Sequence, residues 1–89
     1  MQRRIYHFSG RVQGVGFRFT THAIARGFEV TGYVQNLADG RVRLLVEGEC
    51  DEIDRFVEAV KEQMGGYIRD VNFETATATG EFSNFAVRH

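Results

Sequence analysis

Apolar residues in this chain change their spacing across one short glycine-containing segment, and that change restricts the fold more than any other feature. From Arg3 to Val12 they alternate, with Tyr6, Phe8, Gly10 and Val12 on one side and His7, Ser9 and Arg11 on the other. Alternation of this kind marks a strand with one buried face. After Gln13-Gly14-Val15-Gly16 the spacing becomes three and four, through Phe17, Thr20, Thr21, Ile24 and Phe28, which is one face of a helix. A strand that becomes a helix so abruptly needs a backbone free to enter left-handed conformations, and glycine supplies that freedom.

The rest of the chain repeats the exercise. Phe28 to Leu37 alternates, with Phe28, Val30 and Val34 on one side. Asp39-Gly40 suits a hairpin turn, and Arg41 to Glu47 returns with Val42, Leu44 and Val46 facing one way. Ile53, Phe56, Val57, Val60 and Met64 then form a second helical stripe, with Asp51 placed to cap its start and Gly65-Gly66 its end. Ile68 to Thr79 reads as a strand rich in threonine, Thr79-Gly80-Glu81 as a turn, and Phe85 to Arg88 as a short final strand. The order β-α-β-β-α-β predicts a ferredoxin-like α+β sandwich, with two helices on one face of an antiparallel sheet of four to five strands. Residues 1–89 are expected to form a single domain, too short for a separate cofactor domain.

Composition narrows the partners. A formal net charge of −1 gives no electrostatic reason to expect nucleic acid or an anionic membrane surface. No apolar run reads as a signal peptide or a membrane span, and the one cysteine, Cys50, excludes an internal disulfide. A cytoplasmic protein is the expectation.

Chemistry concentrates in the first turn. A glycine-rich strand-to-helix connection lets successive main-chain N–H groups point inward around an anion, and a helix N-terminus adds partial positive charge. Arg18 follows at once, and its planar guanidinium matches two phosphate oxygens together. The plainer reading is a glycine turn beside a solvated arginine. Asn36 continues the core-facing side of its strand after Val34, and an asparagine there can also satisfy the backbone of the turn before Asp39-Gly40.

Other candidates are weaker. Cys50 reads as a half-buried structural thiol, and its distance from Arg55 is one residue short of the cysteine loop of tyrosine phosphatases. His7, His22 and His89 lack ligand spacing, although His22 follows the glycine loop on the same helix. Gly14-Val15-Gly16 is only a fragment of a dinucleotide fingerprint, and no lysine with a following Ser or Thr makes it a nucleotide loop.

The segment Gly10-Arg11-Val12-Gln13-Gly14-Val15-Gly16-Phe17-Arg18, with Gly32-Tyr33-Val34-Gln35-Asn36 and the later Asp39-Gly40, resembles the acylphosphatase family over nearly the whole chain. Tyr33 stands where that family commonly has Trp, Glu29 where a helix-ending Gly is usual, and Tyr67 where Pro is frequent. The resemblance implies the same sandwich fold and hydrolysis of acyl phosphates by an acylphosphate phosphohydrolase. It implies that backbone amides of Gln13, Gly14, Val15, Gly16 and Phe17, with Arg18, hold the phosphoryl group, and that Asn36 orients the attacking water. It implies a small-molecule acyl phosphate substrate, inorganic phosphate as product and inhibitor, no metal, no cofactor, and a monomer.

Two other functions fit the topology. An RNA-binding module would need paired aromatics on the central strands, and Arg41 to Glu47 has none. A non-catalytic phosphate- or metabolite-binding domain would use the same loop without turnover.

Overall fold

A computed structural model describes residues 1–89. Five strands and two helices follow in the order β1 (Gln2–Gly10), α1 (Phe17–Ala25), β2 (Thr31–Asn36), β3 (Val42–Gly48), α2 (Cys50–Met64), β4 (Ile68–Thr77) and β5 (Phe85–Arg88). The strands make one sheet ordered β4-β1-β3-β2-β5. The ferredoxin-like sandwich expected from the alternation is the fold observed.

Alternation places the core. Tyr6 and Phe8 of β1, Val34 of β2, and Val42, Leu44 and Val46 of β3 are buried on one face of the sheet. Ile53, Phe56, Val57, Val60 and Met64 of α2 and Phe17 and Ala25 of α1 join them in one cluster. Phe56 is fully buried between the rings of Phe28 and Phe85, with centroids at 5.8 and 5.5 Å. Truncating such a side chain costs about 3–5 kcal/mol.

Element ends differ from the sequence pattern in physical detail. Helix α1 stops at Ala25, so Phe28 packs from the following turn rather than from the helix. Helix α2 begins at Cys50 with Glu49 ahead of it and no side-chain cap, which puts Asp51 and Glu52 inside its first turn. There their charges act favourably on the helix dipole. Gly65 keeps a right-handed φ of −56°, and the helix ends by tightening into a 3₁₀ turn over Gly65–Tyr67. Glu29 needs no left-handed backbone; its N–H donates to Glu52 Oε2 at 2.8 Å.

The last strand gives the sheet its mixed character. β1, β2, β3 and β4 pair antiparallel, whereas β5 pairs parallel with β2, Gly32 opposite Phe85 and Gln35 opposite Arg88. β4 and β5 lie at opposite edges, so residues 78–84 cross the sheet on the face away from the helices. Glu47 holds this strap. Its carboxylate, 3% exposed, accepts from Arg3 Nε at 2.7 Å, Thr79 N–H at 2.9 Å, Thr79 Oγ1 at 3.2 Å and Gly80 N–H at 3.0 Å. Phe82 then packs near Tyr33, and Asn84 accepts the Gly32 N–H at 3.0 Å. Residues that alternation assigns to the solvent side, Tyr33, Leu45 and Glu47, are buried as a result. No helix is long and apolar enough to cross a membrane.

Candidate active site

The segment between β1 and α1 has the geometry its glycines suggest. Gly14 and Gly16 take φ of 78° and 79°, and a Cβ at either would touch nothing, so conformation and not space demands glycine there. Gly16 sits at the head of α1, where its carbonyl accepts from Thr20 N–H at 2.9 Å. No side chain caps this helix and no acidic residue lies in its first turn. The leading amides of a helix have no partner of their own within it, so those of α1 are available to a ligand at the loop.

Arg18 is half-buried on the first turn of α1 and faces no carboxylate within ion-pairing distance. Its Nη1 lies 3.4 Å from the Arg88 carbonyl and 3.3 Å from His89 Nδ1, both long contacts. Most of its donor capacity is therefore uncommitted.

Asn36 ends β2 beside the loop, and its Oδ1 is buried without a hydrogen-bond partner. The turn that follows does not use it. Leu37 N–H donates to Arg41 O at 2.8 Å, Gly40 N–H to Leu37 O at 3.1 Å, and Arg41 N–H to Asp39 Oδ1 at 3.1 Å. The turn-residue reading of Asn36 loses its support, because the turn is closed by other groups. Thr21 Oγ1, on α1, is the other buried side-chain oxygen without a partner.

Gly14, Gly16, Arg18 and Asn36 line one cleft of about 330 Å³, closed behind by Val12 and Phe17. Gln13 and Val15 do not line it. The Gln13 side chain instead donates to Leu37 O at 2.8 Å and Arg41 O at 3.0 Å, tying the loop to the β2–β3 turn next to Asn36. Val15 packs against the core. The outer wall consists of Phe19, Val87 and His89, which the sequence reading did not assign to the site. The parallel register explains two of them: Val87 lies opposite Val34 and Arg88 opposite Gln35, so the next residue reaches the end of β2 where Asn36 stands. Gln35 Nε2 also makes a long contact, 3.3 Å, to the His89 main-chain oxygen.

The remaining candidates lie elsewhere. Cys50 is exposed rather than half-buried, because it opens α2 on the outward side, with Sγ 3.5 Å from Gln2 Oε1. Neither it nor Arg55 lines the cleft. The His22 ring packs towards Phe85. His7 sits beside Arg43, with Nε2 3.2 Å from Arg43 Nε, and burial followed by the Arg41 and Arg43 charges lowers its pKa. No group of three or more His, Cys, Asp or Glu side chains is placed to hold a metal ion.

Fold and loop together define an α+β sandwich whose strand-to-helix turn opens into one cleft beside an uncapped helix start and an arginine without an ion-pair partner. Comparison with known proteins points to one family. A sequence profile named Acylphosphatase matches residues 4–87. The acylphosphatase of Salinibacter ruber is 43% identical over 81 residues, covering 90% of this chain and 85% of that protein. That of Methanospirillum hungatei is 37% identical over 90 residues, covering 99% and 98%. The crystal structure of acylphosphatase from Bacillus subtilis superposes with a TM-score of 0.89 at 31% identity, covering 100% of both chains. The chain belongs to the acylphosphatase family of enzymes.

Proposed function

We propose that this protein hydrolyses the carboxyl–phosphate bond of acyl phosphates by direct attack of water. The observation that carries the reading is the buried, unpartnered Oδ1 of Asn36, a residue that lines the same cleft as Gly14, Gly16 and Arg18, which has no ion-pair partner. A buried polar atom without a partner costs free energy, and a water donating to Asn36 Oδ1 relieves that cost. An amide has no relevant pKa, so Asn36 orients the water without acting as a base.

The leaving group makes this economical. A carboxylate whose acid has a pKa of about 4 departs without a strong proton donor. The water oxygen forms the new bond to phosphorus, the bond from phosphorus to the acyl oxygen breaks, and its electron pair leaves on the carboxylate. The water proton passes to a phosphoryl oxygen of the substrate. Charge on the phosphoryl oxygens is met by Arg18 and by the amides of the loop residues that line the cleft, Gly14, Gly16 and Phe17, in keeping with the positioning and electrostatic character of phosphoryl transfer. No step requires a metal or a cofactor. A monomer acting in the cytoplasm belongs to the same proposal.

Benzoyl phosphate hydrolysis tests the reading. Turnover is expected to survive exhaustive chelation and to be inhibited competitively by inorganic phosphate, which occupies the loop without an acyl group. Phosphate binding without turnover would instead favour a non-catalytic phosphate-binding domain, and activity restored by a single added metal would overturn the mechanism.

A further inference from the structure

The face of the sheet turned away from the helices is covered only in part. The strap of residues 78–84 closes it over Tyr33 and Glu47, and the next row of side chains towards the loop end lies open. Register defines that row residue by residue. Asn72 of β4 stands opposite His7 of β1, His7 opposite Arg43 of β3, Arg43 opposite Gln35 of β2, and Gln35 opposite Arg88 of β5. One line of polar side chains therefore crosses the whole sheet. Asn72 and Arg88 are exposed, and His7, Arg43 and Gln35 are half-buried.

The line carries charge of one sign. Neither Arg43 nor Arg88 faces a carboxylate within ion-pairing distance. Arg43 gives its Nε to His7 Nε2 at 3.2 Å, which leaves the two terminal nitrogens of its fork uncommitted. Arg88 lays its guanidinium over the Tyr33 ring at 3.8 Å, and a guanidinium stacked by its face keeps its N–H edge available. The carboxylates that flank the line, Asp70 opposite Ser9 and Glu74 opposite Ile5, stand on the edge strand β4, and Asp70 is held by Arg69. His7 registers the local field: after burial, the charges of Arg41 and Arg43 lower its pKa. The net charge of −1 conceals the patch, because Asp51, Glu52, Asp54, Glu58 and Glu62 all lie on α2, on the other side of the sheet.

What fits here has charge and little else. No exposed aromatic ring adjoins the line, since Tyr33 is buried beneath Arg88 and Phe73 packs on Tyr6 on the helix side. A nucleobase or an apolar peptide anchor finds no seat. Neighbouring strands are about 4.8 Å apart, so Arg43 and Arg88 spring from points about 10 Å apart with the Gln35 amide between them. A single orthophosphate reaches one of the two arginines, whereas a chain of linked phosphates reaches both. The planar fork of arginine matches phosphate oxygens in pairs. We propose that His7, Arg43, Gln35 and Arg88 form a second anion site that binds a condensed phosphate chain, free or carried on a nucleotide. The site is separate from the cleft and does not depend on the hydrolytic reading.

Tripolyphosphate titrated into the protein and followed by nuclear magnetic resonance tests the site. Signals of His7, Gln35, Arg43 and Arg88 are expected to shift together. Saturating orthophosphate, which the hydrolytic reading assigns to the glycine loop, is expected to leave those shifts in place. Arg43→Gln is expected to weaken tripolyphosphate binding about threefold to tenfold, the range for partly exposed charged contacts, with hydrolysis of benzoyl phosphate unaltered. Arg43→Lys recovers only part of the loss, because a point charge lacks the fork. Equal affinity for ATP supports a chain read without regard to its carrier, and binding of tripolyphosphate alone supports free condensed phosphate as the occupant. Shifts confined to the loop, residues 13–18, overturn the proposal. So do equal shifts with a tetra-aspartate peptide, or ATP binding whose shifts lie away from the line.

Discussion

Glu47 and Asn36 stand on neighbouring strands, each with a buried side-chain oxygen, and only one of them finds donors within the protein. Around Glu47 an arginine, a hydroxyl and two backbone N–H groups converge within 3.2 Å. Around Asn36 Oδ1 there is none, and the arginine that shares its cleft makes only long contacts. A satisfied buried cluster fixes structure; here it pins the strap that carries β5 to its edge. An unsatisfied one weakens the fold locally and holds binding capacity in reserve. Stability and activity are thus expected to separate between the two clusters, and substitutions can show it.

Arg18→Ala is the harshest test on the active side. Removing the uncommitted cation is expected to lower kcat/KM by about 10³–10⁴-fold and to weaken inhibition by phosphate, with thermal stability little changed. Arg18→Lys recovers little, because a point charge lacks the planar fork. Asn36→Ala comes next: a fall in kcat of about 10²–10³-fold, with phosphate affinity by calorimetry nearly unchanged, since the lost partner is the water. Its melting temperature should hold or rise slightly, as an unpaired buried acceptor is removed. Full turnover in Asn36→Ala would show that the oxygen is an orphan without a task.

Glu47→Ala reverses the pattern. Stripping the carboxylate from Arg3, Thr79 and Gly80 is expected to cost about 2–4 kcal/mol in urea unfolding. Activity at low temperature should fall far less than in either site variant. The same residue predicts an acid limit. Burial raises the pKa of Glu47, but bonds from Thr79, Arg3 and Gly80 outweigh it and hold the carboxyl below its usual range. A group whose folded pKa is depressed contributes stability above its unfolded value, about 4.3, and loses that contribution as pH falls through the folded value. Urea midpoints should therefore drop below about pH 4, and the drop should be shallower in Glu47→Gln. The smallest effect belongs to Cys50→Ser, remote from both clusters, where turnover and melting temperature should match the unaltered protein.

Legibility in the sequence followed the same division. The loop and Arg18 could be read because their signal is local: two glycines with left-handed backbone, then a helix that starts with an arginine. Strand alternation put Asn36 on the core-facing side, and only the resemblance to the family gave it a part in a site. Val87 and His89 could not be read, because their place in the wall depends on the parallel docking of β5, which no local pattern encodes; Phe19 could not, because helical spacing does not tell that an exposed side chain borders a cleft. The buried outer face at Tyr33, Leu45 and Glu47 was hidden for a related reason: alternation reports which side a residue faces, not whether a crossing segment covers that side. Cys50 shows the converse error. Cysteines are commonly buried, yet its place at the outward start of α2 exposes it.

The parallel pairing of β5 with β2 also sets a clock. Gly32 and Phe85 meet although more than half of the sequence separates them, and contacts between such distant positions form slowly because a long loop must close first. The chain has no proline and a single cysteine, so neither peptide-bond isomerisation nor disulfide formation competes to limit refolding. Helices and central strands can return before the segment that bears Val87 and His89 reaches its edge. Circular dichroism should therefore recover ahead of catalysis during refolding, and the interval between the two signals measures how long the nearly complete protein waits for its last strand.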